Sequence, residues 1–447
     1  MSLGRKQDQA NTEELFISYS DLPRGPSHPF YLRLNKILEK HDFDRFCEEL
    51  CAGAYAEVMG RPSIPPGVYF RMLMVGYFEG LKSERGIAWK VADSGSLKEF
   101  LGYKLTDATP DHSSLSRIRD RLSLEAHKLV FAKVLEILKK EKLLKGKKIG
   151  LDASNIEANA AMRTIRRKID GKRYEAYLKG LAKKSGLEEA SQEELSRFDR
   201  NRPDKSCSNK EWENPNDPDA KVTKMKDGRT HLAYKAEHSL DLETGAMVAA
   251  VIHPANCGDT QTGWETLAEA SENLNTVNED QHDREEILQE VVADRGYHSG
   301  STLVEMAEVG IRTYIAEPDR GRRNWRGKAK EREAVYRNRE RMRRGKAKSL
   351  HKKRAELLER SFAHMLDTGG MRRVWLRGRE NVWKRYLIHA CAFNLSLVMR
   401  QLYRAGTPRG LEVLVRLVLR YLSAVLSFIR SQRPISAADS CLLATHG

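Results

Sequence analysis

The sequence predicts an α/β protein built in two parts, a helical N-terminal domain followed by a mixed sheet flanked by helices. Two observations lead there. Apolar residues recur at helical spacing from Pro29 to about Lys145, and from Lys148 onward short apolar runs of strand length alternate with helical segments. A third is length, since 447 residues exceed one ordinary domain.

Residues 1–27 are polar, carry Pro and Gly, and read as a flexible arm. Residues 28–145 read as helical. Leu34, Ile37 and Leu38 share a face, and Phe43, Phe46, Leu50, Ala54 and Val58 continue at the same spacing. The run Pro62–Pro66 breaks the pattern. Phe70, Leu73, Met74, Tyr77 and Phe78 then mark an apolar helix, and Ser83–Val91 and Ser96–Leu101 mark two short ones. Asp111 is placed to cap a further helix that carries Arg117 and Arg119. Short helices ending on a basic one suggest a helix-turn-helix-like reader with Arg117 and Arg119 on DNA. A plain bundle for dimer contacts is the alternative, because helical spacing carries no information about a groove.

From residue 146 to 404 the periodicity changes. Lys148–Ala153 is a strand, and residues 155–230 read as an insertion with helices around Ile156–Ile169 and Arg173–Leu181, then loop. His231–Leu240 and Ala246–Ile252 are strands joined by a turn at Asp241. A helix over Asp259–Ala270 follows, with Asp259 as its simplest N-cap. Ile287–Ala293 and Arg312–Ala316 are strands on either side of a helix over Ser299–Val309. Residues 319–348 form a basic linker to helices over Leu350–Leu366 and Asn381–Tyr403. Residues 405–447 are a helical tail with an apolar stripe of Leu411, Leu414, Val415, Val418, Leu419 and Leu422.

The net charge of +16 favours a polyanionic partner, because neutralising phosphates releases counterions. That charge is concentrated: residues 319–355 hold 17 Lys or Arg against 4 Asp or Glu, an excess of 13. Cys47, Cys51, Cys207, Cys257, Cys391 and Cys441 show no zinc-ligand spacing. The N-terminus lacks an apolar signal core, and Glu412, Arg416 and Arg420 interrupt the longest apolar stretch. A cytoplasmic protein is expected.

Three carboxylates stand out. Asp152 ends the run Lys147–Leu151, Asp294 ends Ile287–Ala293, and Glu359 lies just beyond the most basic stretch. Carboxylates at two strand ends plus one on a helix suit a pair of divalent ions held against a phosphodiester. Taken singly, an Asp after a strand is more often a turn or cap residue. The combination with a basic helix favours catalysis. Glu356 competes with Glu359, and His298 reads as a hydrogen-bonding neighbour. Arg354 and Arg360 are candidates to hold phosphates. The run Arg320–Lys348, with Trp325 and Tyr336 interleaved, could track a DNA backbone and stack on a base; a solvated loop is the alternative.

The strand and helix order is that of the ribonuclease H-like fold. Leu151-Asp152-Ala153-Ser154, Ala293-Asp294-Arg295-Gly296-Tyr297 and Glu359-Arg360-Ser361-Phe362 resemble the DDE transposases of bacterial insertion sequences. The segment Glu380–Met399 is similar to their C-terminal helices, and Pro62–Ala92 with Thr109–Ser113 to a helical N-terminal domain found in one branch. One departure is that many relatives carry Tyr-x2-Arg-x3-Glu-x6-Lys around the third carboxylate. Here His351-x2-Arg354 precedes Glu359 by one residue more, and Leu366 replaces the Lys.

The resemblance implies a transposase that binds the terminal inverted repeats of its element, cleaves the DNA ends and joins the 3′-OH to target DNA. It implies two Mg2+ or Mn2+ ions, with Asp152 bridging both, Asp294 on one and Glu359 on the other, in a homo-oligomer. Another ribonuclease H-like nuclease, or a non-catalytic DNA-binding derivative of a transposase, are the alternatives.

Overall fold

The computed structural model describes residues 27–55, 63–187, 190–203, 208–278, 288–319, 321 and 323–431. The arm expected over residues 1–27 falls, apart from Ser27, outside that set, as do Cys207, Cys441 and residues 432–447.

Seven helices come first: α1 (Pro29–Lys40), α2 (Phe43–Cys51), α3 (Pro66–Phe78), α4 (Glu84–Asp93), α5 (Gly95–Phe100), α6 (His112–Arg121) and α7 (Leu124–Lys140). Their starts are written locally. Ser83, Ser94, Asp111 and Ser123 each accept a hydrogen bond from the backbone N–H three residues on, which satisfies a donor the helix cannot. Helix α3 is buried along nearly its whole length. A helix apolar on every side needs partners on every side, and one of them comes from the far end of the chain.

The chain then builds β1 (Lys148–Glu157) and an insertion. The insertion holds β2 (Arg166–Arg167), α8 (Tyr174–Lys184), α9 (Gln192–Asn201) and β3 (Trp212–Glu213), with a small core of Leu178, Ala182 and Leu195. No helix begins at Ile156, as the sequence had suggested. Strand β1 runs on to Glu157 because β5 (Thr230–Asp241) pairs antiparallel with it along its length, from Ile149↔Asp241 to Glu157↔Ala233. Strand β4 (Lys221–Lys224) and β6 (Met247–Pro254) share the other edge of β5. On the opposite side of β1 lie β7 (Glu290–Ala293) and β8 (Arg312–Ile315), both parallel. The sheet is therefore mixed, in the order β4-β5-β1-β7-β8 with β6 also on β5.

Helices cover both faces. Helix α10 (Asp259–Asn278) and α11 (Gly300–Glu308) pack one apolar cluster with Ile149, Leu151, Val248 and Val291. Much of the segment expected as a basic linker, residues 319–348, is instead helix: α12 (Ala329–Arg343) and the first turn of α13 (Gly345–Ala363), whose remainder is the helix expected from Leu350. Ala, Glu, Lys and Arg are good helix formers, and burial of Ala334, Val335 and Asn338 on the sheet holds α12 in place. The Asn338 amide bonds the Ile315 N–H and C=O at 3.2 and 2.8 Å, satisfying the exposed edge of β8. Helix α13 crosses the other face over Leu242, Val292 and Tyr314.

Helix α14 (Arg379–Tyr403) is buried from Val382 to Met399 and packs on β6, α7 and α3. One continuous core joins α1–α7, β5, β6 and α14. The last element, α15 (Pro408–Ser431), exposes Val415, Val418, Leu419 and Leu422. No helix among the described residues is long and apolar enough to cross a membrane.

Candidate active site

The parallel pairing Gly150↔Val292 sets β1 and β7 level. Asp152 and Asp294 each lie two residues beyond that pair, so the register brings them to the same height, Asp152 in the middle of β1 rather than at a strand end and Asp294 just past the end of β7. Between them stands Arg354 of α13. Its Nη2 is 3.1 Å from Asp152 Oδ2 and 3.9 Å from Asp294 Oδ2, and its Nε donates to the Leu151 carbonyl at 3.0 Å. Gly150 makes this possible, since a Cβ there would meet Leu242 Cδ2 at 2.6 Å and Arg354 Cγ at 3.3 Å.

Burial pushes the Asp152 carboxyl above its usual range. Arg354 and a hydrogen bond from the Ala153 N–H oppose this, and the charges of Asp294 and Asp259 add to it. The aspartates are only partly buried, whereas Arg354 is nearly inaccessible and its Nη2 has no hydrogen-bond partner. A cation is thus favoured between the two carboxylates, and the guanidinium meets that demand with poor hydrogen-bond geometry. A hard divalent ion suits the same pair of oxygens.

Behind the aspartates lies a buried polar network. Glu237 on β5 is fully buried and accepts hydrogen bonds from the Tyr297 hydroxyl at 2.5 Å, Thr266 at 2.5 Å and Thr262 at 3.1 Å. Burial alone would raise its carboxyl. The bonds from His253, Thr266 and Tyr297, with the Lys235 charge, outweigh it and hold the group below its ordinary value. Lys235, also buried, donates to Thr262 at 2.7 Å and pairs with Asp259 at 2.6 Å. Sequence reasoning assigned Lys235, Glu237 and Asp259 no part in the site. The available signal was a Lys and a Glu two residues apart on one face of an otherwise apolar strand, since such charges are buried only when paired.

The other expected site residues divide. Glu359 is exposed on α13. Among the described residues no three His, Cys, Asp or Glu side chains stand close enough to hold a metal ion, so Glu359 does not complete a ready-made triad with the aspartates. Arg360 pairs with Glu356 at 2.6 Å, one turn earlier on the exposed face. Arg117 is exposed and bonds back to Ser113. Arg119 does not face solvent, contrary to the reading of α6 as a DNA reader: it is buried in an ion pair with Glu84 of α4. Trp325 is half-buried, with Tyr336 6.3 Å away and Arg323 over its ring. His298 is buried beside Arg323. Asp241 is the turn residue expected, accepting from Lys145, Gly146 and Glu243 N–H groups.

Comparison with known families fits this geometry. Residues 20–121 match the family described as a transposase domain (DUF772), and residues 203–395 match the transposase DDE domain. The second match contains Asp294, Arg354 and Glu359 and begins after Asp152. No curated protein and no solved structure matches the chain. DDE transposases in general use divalent metal ions and act on DNA. The helical region followed by a helix-flanked mixed sheet is the ribonuclease H-like arrangement of such enzymes. The chain belongs to the DDE-type transposases of insertion sequences.

Proposed function

We propose that this transposase binds the terminal inverted repeats of its element, cuts the DNA there and joins the freed 3′-OH to target DNA. The observation that carries this is the pair Asp152 and Asp294, level on the adjacent parallel strands β1 and β7, with Arg354 Nη2 between them at 3.1 and 3.9 Å. In this reading the two aspartates would hold Mg2+ or Mn2+, two ions in the working complex, with Glu359 joining them from α13 when DNA is bound. Such ions would supply an activated attacking oxygen and charge neutralisation at phosphorus. Water attacks the phosphodiester, the bond from phosphorus to the 3′ oxygen breaks, and that oxygen leaves as the 3′-OH. The same 3′-OH then attacks a target phosphodiester, so each bond made replaces one broken and no nucleotide cofactor is needed.

The protein's own groups orient the DNA. Arg354, released from the aspartates, is a fork suited to a phosphate beside the cut. Arg360, Arg117 and the basic face of α12, with Trp325 at its root, extend a positive surface for the backbone. A homo-oligomer would bring two element ends together.

The test is a Mg2+- or Mn2+-dependent cleavage and joining assay on labelled DNA from the flanks of the gene, with wild type and Asp294→Ala. Nicking at the flank ends with joined products, lost in the variant, supports the reading. Binding to those ends without cleavage by either protein would replace it with a DNA-binding derivative. Cleavage indifferent to the flanks would point to a general nuclease.

A further inference from the structure

We propose that Arg373, Trp375 and Arg377, on the segment between α13 and α14, form a binding strip for a single DNA strand parted from its complement beside the cut. The inference rests on the proposed function, since it concerns one strand of that same DNA.

Residues 371–379 hold four arginines and no Asp or Glu. From Arg373 to Arg377 the side chains alternate inward and outward, as along an extended chain. Val374 and Leu376 pack on the core, while Arg373, Trp375 and Arg377 are exposed. The outward three therefore stand in a row, about 6.6 Å from one to the next. The backbone beneath them is fastened on both sides. The Glu157 N–H donates to the Arg372 carbonyl at 3.0 Å, and the Val374 N–H to the Glu157 carbonyl at 2.9 Å. The Asn159 amide donates to the Trp375 carbonyl at 2.9 Å. Asp217 and Asp219 of the insertion accept from the Gly378 and Arg379 N–H groups at 3.1 and 2.9 Å. An exposed apolar side chain is ordinary by itself. An indole fixed in a row of arginines is a stacking platform with a phosphate contact on either side. The Arg373 guanidinium lies 5.5 Å over the Trp375 ring and orients it. Its pairing with Glu157, at 3.7 Å between partly exposed groups, is weak enough to yield to a phosphate.

The sheet topology sets this strip in line with the aspartates. One edge of β1 is taken by β5 along residues 149–157. The other edge carries β7 opposite residues 148–150 and then the strip, bridged in parallel at Glu157↔Arg373. Among the described residues no strand pairs with residues 152–156 on that second edge. The turn at Asp294 thus stands at one end of an open stretch of β1, and the arginines and Trp375 stand at the other. Asp152 and Glu157 are five residues apart on β1, about 17 Å at strand spacing. A strand with its phosphodiester at the aspartates and its backbone along this edge reaches Trp375 about five nucleotides from the cut, at 3.4 Å each. Stacking on the indole needs a base free of its partner, so the strip selects an opened strand over a closed duplex.

The test uses the full chain without metal and two fluorescent probes, a single-stranded oligonucleotide from the flank of the gene and the matching duplex. Fluorescence anisotropy measures Kd for wild type and variants over a range of salt. Trp375→Ala is expected to weaken single-strand binding about tenfold and duplex binding little, with Trp375→Phe close to wild type. Arg373→Gln and Arg377→Gln should each reduce the slope of log affinity against log salt for the single strand by about 0.7. Unchanged single-strand binding in Trp375→Ala would overturn the inference. Equal weakening on both probes would overturn it too, in favour of a duplex contact. A melting curve checks the fold. Should Trp375→Ala fail to fold, Arg377→Glu carries the test, because reversing an exposed charge leaves the core intact. It should lose single-strand affinity at least tenfold, and wild-type affinity would overturn the strip. None of these readings needs metal or cleavage, so metal-dependent cutting at the flanks would leave the proposed function standing if the strip fails. Wild type that binds single strands through Trp375 but never cuts would overturn the proposed function and keep the strip.

Discussion

Arg354 is structural and provisional at once. Its Nε tie to Leu151 and its charge between two aspartates hold α13 onto β1. Arg354→Met should lower stability by roughly 1–3 kcal/mol, a modest figure because both carboxylates keep solvent contact. Mg2+ should then raise the melting temperature of the variant more than that of wild type, since the ion fills the place of the lost charge. Thermal melts with and without Mg2+ decide this, and equal shifts would sink the exchange of guanidinium for metal. His238 gives a second residue-scale prediction. It is fully buried between Phe362, Ser361 and Tyr386, and burial lowers its pKa from 6.5 to about 3. The unfolded chain takes up this proton near 6.5 and the folded chain resists until about 3. Stability is therefore full above 6.5 and falls as pH drops through that window, by up to about 1.4 kcal/mol per unit. Urea unfolding between pH 7 and 5 should show the slope, and His238→Gln should reduce it by one proton's share, leaving the part due to His127 and His389, which burial also lowers. Legibility at this scale followed distance along the chain. Asp152 and Asp294 could be read because each ends its own apolar run. The true partner of Arg119 is Glu84, thirty-five residues away, and that of Asp259 is Lys235, twenty-four residues away, so their local surroundings suggested a DNA contact and a cap.

At the scale of elements, periodicity served best where a segment is buried on one face. Strands β5 to β8 and helices α10, α11 and α14 fall close to where apolar spacing put them. The insertion was harder, because β2 and β3 are two-residue strands stabilised by each other rather than by pattern. The basic stretch misled for another reason. Its charges outnumber its apolar residues, yet three side chains of α12 on the sheet suffice to dock it. The seat of α13 depends on an absence, the missing side chain at Gly150. Gly150→Ala should cost about 1–3 kcal/mol through the contacts with Leu242 and Arg354, as overpacking usually does. Chemical denaturation measures that cost. A loss of metal-dependent cleavage larger than the loss of stability would show that α13 had lifted from the aspartates. No change in either would mean that the helix seat is looser than the packing implies.

The whole molecule is less divided than its sequence suggests. The helical start of the chain and the sheet share a core, with α14 lodged against α3 and α7 and the Arg385 guanidinium fully buried against Gly76. A single cooperative unfolding transition is expected by calorimetry, with amides of α3 and α14 exchanging at the same rate under native conditions. A separate early melt of the N-terminal helices would contradict it. The same lodging has a consequence for synthesis on the ribosome. The wall of the N-terminal bundle is supplied by residues translated more than two hundred positions after α7 ends, so the first seven helices emerge long before the helix that closes them. Until α14 clears the exit tunnel the nascent transposase is an unfinished bundle with α3 uncovered. Chains arrested before residue 379 should be digested rapidly by protease, and chains arrested well beyond residue 403 should resist. A polypeptide broken off early would then be cleared before it could occupy DNA.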